Sequence, residues 1–129
     1  MKKAAALVAM CAVALSGCAS QSTRDEAMTA AGRFLDAVSR SDTRAACALL
    51  TPRTREDLAA SEGQSCTKSL PTDRLGGRAE SADTWSDQAV VRTGDGTLFL
   101  TEFDSGWLVS AAGCRPGGED APYKCVVGG

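Results

Sequence analysis

The chain has 129 residues, the size of one domain, and contains no His, Ile or Asn. Its 14 basic and 16 acidic side chains are interspersed and give a formal net charge of −2. That balance excludes the basic footprint of a nucleic-acid binder and a polybasic patch for anionic lipid, so no nucleic-acid partner is expected.

The first seventeen residues read as a targeting segment. Met1-Lys2-Lys3 is a positive start, Ala4 to Leu15 is an apolar run of twelve, and Ser16 and Gly17 are small. The apolar run falls short of the roughly 20 residues that a spanning helix needs. Leu15-Ser16-Gly17-Cys18 resembles the bacterial lipobox at all four positions. The resemblance implies a lipoprotein signal peptide over residues 1–17, cleavage before Cys18 and a diacylglyceryl group on the Cys18 thiol. The expected address is the outer face of the cell membrane, with the membrane itself as partner through the lipid anchor. Two or more acyl chains, at about 0.8 kcal/mol per buried CH₂, make such anchoring stable. Residues 18–23, small and polar, read as a short tether with a reach of about 20 Å. Residues 24–129 remain for a single folded domain.

That domain opens with helical patterning. Ala27, Ala30, Ala31, Phe34, Leu35 and Val38 recur at three- and four-residue spacing over residues 24–40. Thr23 reads as the N-cap, with Asp25 and Glu26 in the first turn, where acids complement the helix dipole. Ser41-Asp42 ends this helix, and Asp42 caps a short second one carrying Ala45, Ala46, Leu49 and Leu50. Thr51-Pro52 opens a third helix as N-cap and N1 residue. Leu58 is its main anchor, it reaches about Ser61, and Gly63 stops it.

From Leu70 the pattern changes to strands. Arg78–Asp83 is a weak strand and Trp85–Arg92 a better one. Thr93-Gly94-Asp95-Gly96 is a hairpin signal. Thr97–Phe103 alternates, with Leu98 and Leu100 on one face and Phe99 and Phe103 on the other. One of these faces covers the helices; the other lines a concavity or meets the C-terminal tail. Asp104-Ser105-Gly106 turns the chain into a last strand to Cys114, with Trp107, Val109 and Ala111 on one face. About four antiparallel strands are expected.

Six cysteines are present, but Cys11 lies in the targeting segment and Cys18 in the lipobox. The other four allow three pairings. The spacing favours Cys47–Cys66 and Cys114–Cys125, because each pair is local and encloses a turn-rich segment. A four-cysteine zinc site lacks any pair at knuckle spacing, and redox catalysis lacks a Cys-x-x-Cys pair; neither metal nor cofactor is expected. The bridges matter because residues 18–129 hold only nine Leu, six Val, three Phe, two Trp, one Tyr and one Met as sizeable apolar side chains.

Three helices followed by an antiparallel meander define an α+β domain. The order of elements, three helices and then four strands with a Trp near the start of the last, is similar to the NTF2-like (cystatin-like) cone, in which helices pack on a curved sheet. Phe34-Leu35-Asp36-Ala37-Val38, Ala45-Ala46-Cys47-Ala48-Leu49-Leu50 and Gly106-Trp107-Leu108-Val109, leading to Ala111-Ala112-Gly113-Cys114-Arg115-Pro116 and Tyr123-Lys124-Cys125, resemble small actinobacterial lipoproteins of that fold. The resemblance implies an address and a fold and no activity.

With no His, a catalytic base would have to be a carboxylate, and Asp36, Glu102 and Asp104 are the candidates; none has an evident partner at useful spacing. No catalytic residue is assigned. Phe34, Trp85, Phe99 and Trp107 are the candidate lining of a cone pocket. The sequence favours a non-catalytic binding or accessory module of the cell envelope, serving another envelope protein. A small-ligand carrier using the cone cavity stands second, and a carboxylate enzyme third. A filled interior favours the first and a cavity lined by Trp and Phe the second.

Overall fold

The computed structural model describes residues 16–129, with side chains from Ser20 onward. The reading of residues 1–15 as part of a signal peptide, and of the Cys18 thiol as a lipid site, lies outside the described residues.

Helix α1 covers Ser16–Ser39. Residues 18–23 are therefore helical rather than an extended tether, and Thr23 sits inside the helix rather than at its cap. Adding a residue to a formed helix is far easier than nucleating one, and the polar segment has its own one-turn links. Gln21 Nε2 donates to Asp25 Oδ1 at 3.2 Å and Ser22 Oγ to Glu26 Oε1 at 3.4 Å. Further along, Ala27, Ala31, Phe34, Leu35 and Val38 form the buried stripe, and the alanines let the backbone lie close to the sheet.

Helix α2 covers Thr43–Ala48 and α3 Pro52–Glu62. Asp42 accepts from the Ala45 amide at 3.1 Å, and Thr51 Oγ1 from the Thr54 amide at 3.2 Å. Each satisfies a first-turn donor that a helix leaves without an internal partner. Gly63 closes α3 at φ 68°, a left-handed conformation that suits glycine. A short α4 (Cys66–Ser69) and a 3-10 turn (Thr72–Arg74) then occupy a segment expected to be loop.

The sheet is an antiparallel meander in the order β1-β2-β3-β4-β5. Its strands are β1 Ala79–Trp85, β2 Gln88–Thr93, β3 Gly96–Phe103, β4 Gly106–Cys114 and β5 Val127–Gly128. Two differences from the sequence reading stand out. Trp85 ends β1 rather than starting β2, because the chain turns at Ser86-Asp87 with Ser86 at φ 53°; no glycine marks that turn. The sheet also has five strands, not four: Val127 and Gly128 pair with Ala112 and Ala111.

One face of the sheet, here the inner face, packs on α1. Ala89, Val91, Leu98, Leu100, Val109 and Ala112 meet Phe34, Leu35 and Val38 there. Phe34 is 0% exposed and side chains fill the space around it, while a pocket of about 330 Å³ opens at one end of the inner face among Leu35, Leu75, Leu98 and Ala112. Cys47–Cys66 ties α2 to α4, and Cys114–Cys125 ties β4 to the C-terminal tail. Among the described residues, no helix is long and apolar enough to cross a membrane.

The Cys47–Cys66 bridge spans 19 residues, a loop whose closure contributes about 3 kcal/mol in the chain-entropy model. The Cys47→Ala/Cys66→Ala chain is expected to lose about that much unfolding free energy in urea titration, and the Phe34→Ala chain about 3–5 kcal/mol.

Candidate functional site

The site begins with a defect in strand pairing. Trp107 stands opposite Glu102 and Val109 opposite Leu100, but the next β3 residue, Phe99, stands opposite Ala111. One β4 residue, Ser110, is extra, which makes a β-bulge. Because Leu100 and Phe99 point to opposite faces, so do Val109 and Ala111. The expected single-face set of Trp107, Val109 and Ala111 is thereby split: the first two turn inward, and Ala111 turns out beside Phe99.

Irregular backbone must still satisfy its polar groups. Thr54 Oγ1 donates to the Ser110 carbonyl at 2.8 Å, and Ser110 Oγ donates to the Phe99 carbonyl at 3.1 Å. Just before the bulge, the Val109 amide donates to Leu49 O at 2.8 Å and the Thr51 amide to Val109 O at 2.9 Å. The junction of α2 and α3 thus takes the place of a neighbouring strand along this stretch of β4. β5 takes over from Ala111 onward.

This arrangement sets α3 and the C-terminal tail around the outer face of the sheet and leaves an open cleft of about 1050 Å³ between them. Its floor carries Gln88, Phe99, Thr101, Phe103 and Ala111, with Tyr123 reaching over from the tail. Tyr123 meets Phe99 edge to face, with ring centroids 5.2 Å apart. The tail therefore packs against the second apolar face of β3, one of the two placements expected for that face. The tail is fixed by the disulfide and by the Arg115–Lys124 backbone pair, whose two bonds are each 2.9 Å.

A second open cleft, of about 910 Å³, lies between the N-terminal half of α1 and the β3–β4 turn. Trp107 contributes to its wall and Gln21, Asp25, Glu26 and Arg33 to its α1 side. Trp107 is 5% exposed, and its Nε1 finds no hydrogen-bond acceptor among the described residues.

The four residues expected to line one pocket are not brought together. Phe34 is core. Trp85 lies on the outer face, 53% exposed, at the β1 edge. Phe99 floors the outer cleft, and Trp107 borders the other. The cone interior is occupied, which is why they separate. None of the three candidate carboxylates lines either cleft. Asp36 is exposed and ion-paired to Arg40 at 3.0 Å, Glu102 is the next-to-last residue of β3, and Asp104 lies in the following turn. Among the described residues, no group of three or more His, Cys, Asp or Glu is placed to hold a metal ion.

Sequence reasoning missed Tyr123 and Gln88 as site residues and placed Phe103 only on a face. The signal available was the alternation Phe99-x-Thr101-x-Phe103, interleaved with the buried Leu98 and Leu100. The proximity of Tyr123 to Cys125 also ties it to the end of β4. The fold and site define the chain as an α+β domain with a packed core, and its two largest clefts among the described residues are these. No family model, curated protein or solved structure matches it.

Two outcomes check this geometry. Thr54→Val removes a buried donor to the bulge and is expected to cost about 1–3 kcal/mol in urea titration. In Trp85→Phe the remaining indole is the buried Trp107, so acrylamide should quench its fluorescence much less than that of the Trp107→Phe chain.

Proposed function

We propose that the chain is a lipid-anchored extracytoplasmic domain that binds a partner at the cell envelope and does no chemistry of its own. The observation that carries this reading is a domain with two disulfides following directly on a Leu15-Ser16-Gly17-Cys18 sequence. Disulfides persist in oxidising compartments, and export by a lipobox leads to one. Acylated Cys18 would hold the first residue of the mature chain at the outer face of the cell membrane. It would also begin the helix, leaving Cys18 to Ser39 of α1 as a rod of about 33 Å at 1.5 Å per residue.

The order of helices and meander supports an NTF2-like reading of the architecture. The occupied interior supports a binding or accessory module over a carrier that shelters a ligand inside the cone. Recognition then falls to the outer surface, and another envelope protein is one class of partner such a module serves.

Cell fractionation tests the anchor. The parent chain is expected in the membrane fraction, released by detergent and carrying an acylated N-terminal cysteine by mass spectrometry. The Cys18→Ser chain is expected to stay unacylated and to leave that fraction. Retention of Cys18→Ser in the membrane fraction overturns the anchor.

A further inference from the structure

We propose that the outer face of the sheet binds a neutral oligosaccharide chain. The inference deepens the binding-module reading and rests on it. The first observation is a convergence. Among the described residues, the large apolar side chains left exposed are Trp85, Phe103 and Tyr123, at 53%, 41% and 47%. All lie on one side of the sheet. Trp85 stands opposite Gln88, and Gln88 opposite Thr101; Phe103 follows two residues along β3, and Tyr123 leans on Phe99 from the tail. Single exposed apolar residues need no explanation, but their gathering on one face marks a recognition surface.

The second observation is what lies between the rings. Gln88 and Thr101 lie between Trp85 and the rings of β3 and the tail, with Thr101 Oγ1 donating to Gln88 Oε1 at 3.4 Å, so the surface is not a continuous apolar patch of the kind a protein partner buries dry. Amide and hydroxyl groups both donate and accept, as sugar hydroxyls do. The Tyr123 hydroxyl makes no hydrogen bond within the described chain and is free to join them. The C–H-lined face of a pyranose ring is weakly positive and stacks on the negative face of an aromatic ring. Rings alternating with two-way hydrogen-bonding groups therefore match the alternating faces and edges of a sugar chain.

The third observation is charge. Asp83 and Arg92, on the same face, close on each other at 2.6 Å. Arg53 and Asp57, on the α3 side, pair at 3.6 Å. Glu62 is the remaining charged side chain of the cleft lining. Among the described residues that line the cleft, no cation lacks an acidic neighbour, so a neutral ligand is the complementary one.

Size favours a chain over a single sugar. At about 4.8 Å between neighbouring strands, Trp85 on β1 stands about 10 Å from β3, which carries Phe103 and, at Phe99, the contact with Tyr123. The tail that presents Tyr123 is already fixed by the Cys114–Cys125 bridge, so little order has to be gained on binding.

The purified full chain, in detergent, is titrated by calorimetry with four probes: tetramers of β-1,4-linked N-acetylglucosamine, of glucose and of mannose, and a sulfated glucose tetramer. Saturable binding of at least one neutral tetramer is expected, weakened about tenfold or more in Trp85→Ala and in Tyr123→Ala. It is expected to persist in Arg44→Ala, on α2. Both aromatic residues are exposed, so unchanged thermal midpoints are expected to accompany the loss; Thr101→Val, which keeps its shape, supplies a second weakened variant. The ligand assignment is overturned if no neutral tetramer binds at millimolar concentration, if the aromatic variants bind like the parent, or if the sulfated tetramer binds best. A chain that leaves the membrane with Cys18→Ser yet binds no tetramer overturns the ligand alone; one that binds but stays behind with Cys18→Ser overturns the anchor alone.

Discussion

The architecture depends on the carbonyl of Ser110. A strand with one residue too many exposes a peptide group that the sheet cannot pair, and such a group buried without a partner costs about 1–3 kcal/mol. Thr54 supplies the donor. Thr51 meanwhile caps α3 through its side chain and holds Val109 through its amide. A single four-residue segment, Thr51-Pro52-Arg53-Thr54, therefore starts a helix and docks it on the sheet. The outer cleft exists because α3 is held there. β5 must pass close to the same bulge: Gly128 sits at φ 74°, and any side chain there would overlap the Ser110 carbonyl oxygen.

The bulge also explains which parts of the molecule were legible in the sequence. Local signals were readable because each has a local cause. Asp42 and Thr51 cap helices whose donors lie three residues on, Gly63 accepts a left-handed conformation, and Gly94-Asp95 turns a hairpin. The inner face of β3 followed from alternation alone. The pocket assignment failed because the inner face is packed with side chains while Trp85 and Phe99 lie on the outer one. The facing of β4 was misplaced separately, because side-chain direction there depends on the register with β3, and the extra residue at Ser110 reverses it until a second shift before Cys114. Period-2 reasoning placed Ala111 with Val109, while the register places it with Phe99.

Other differences have similar roots. The β1–β2 turn uses Ser86 in a conformation that usually selects Gly or Asn, so nothing in the composition marked it and Trp85 was placed on the wrong strand. Ala19–Thr23 is small and polar, which suits a tether as well as a helix. The links from Gln21 to Asp25 and from Ser22 to Glu26 are weak alone and count only because a helix already follows. β5 is two residues long, too short for any pattern, and is placed by the bridge at Cys125 and by Gly128 rather than by strand propensity.

The meander has a kinetic consequence. Every strand hydrogen-bonds to the one made just before or after it, across connections as short as Ser86-Asp87 and Gly94-Asp95. Closing such short loops loses little chain entropy, so pairing can nucleate at the β2–β3 hairpin and zip outward in both directions. The two bridges close loops of 19 and 11 residues, within reach of local collapse and without threading one loop through another. The helices come first in sequence, yet α1 and the α2–α3 junction must both wait for the strands they pack on. A chain that emerges from a pore in extended form, amino end first, could thus complete its sheet before its longest helix had anything to lie on.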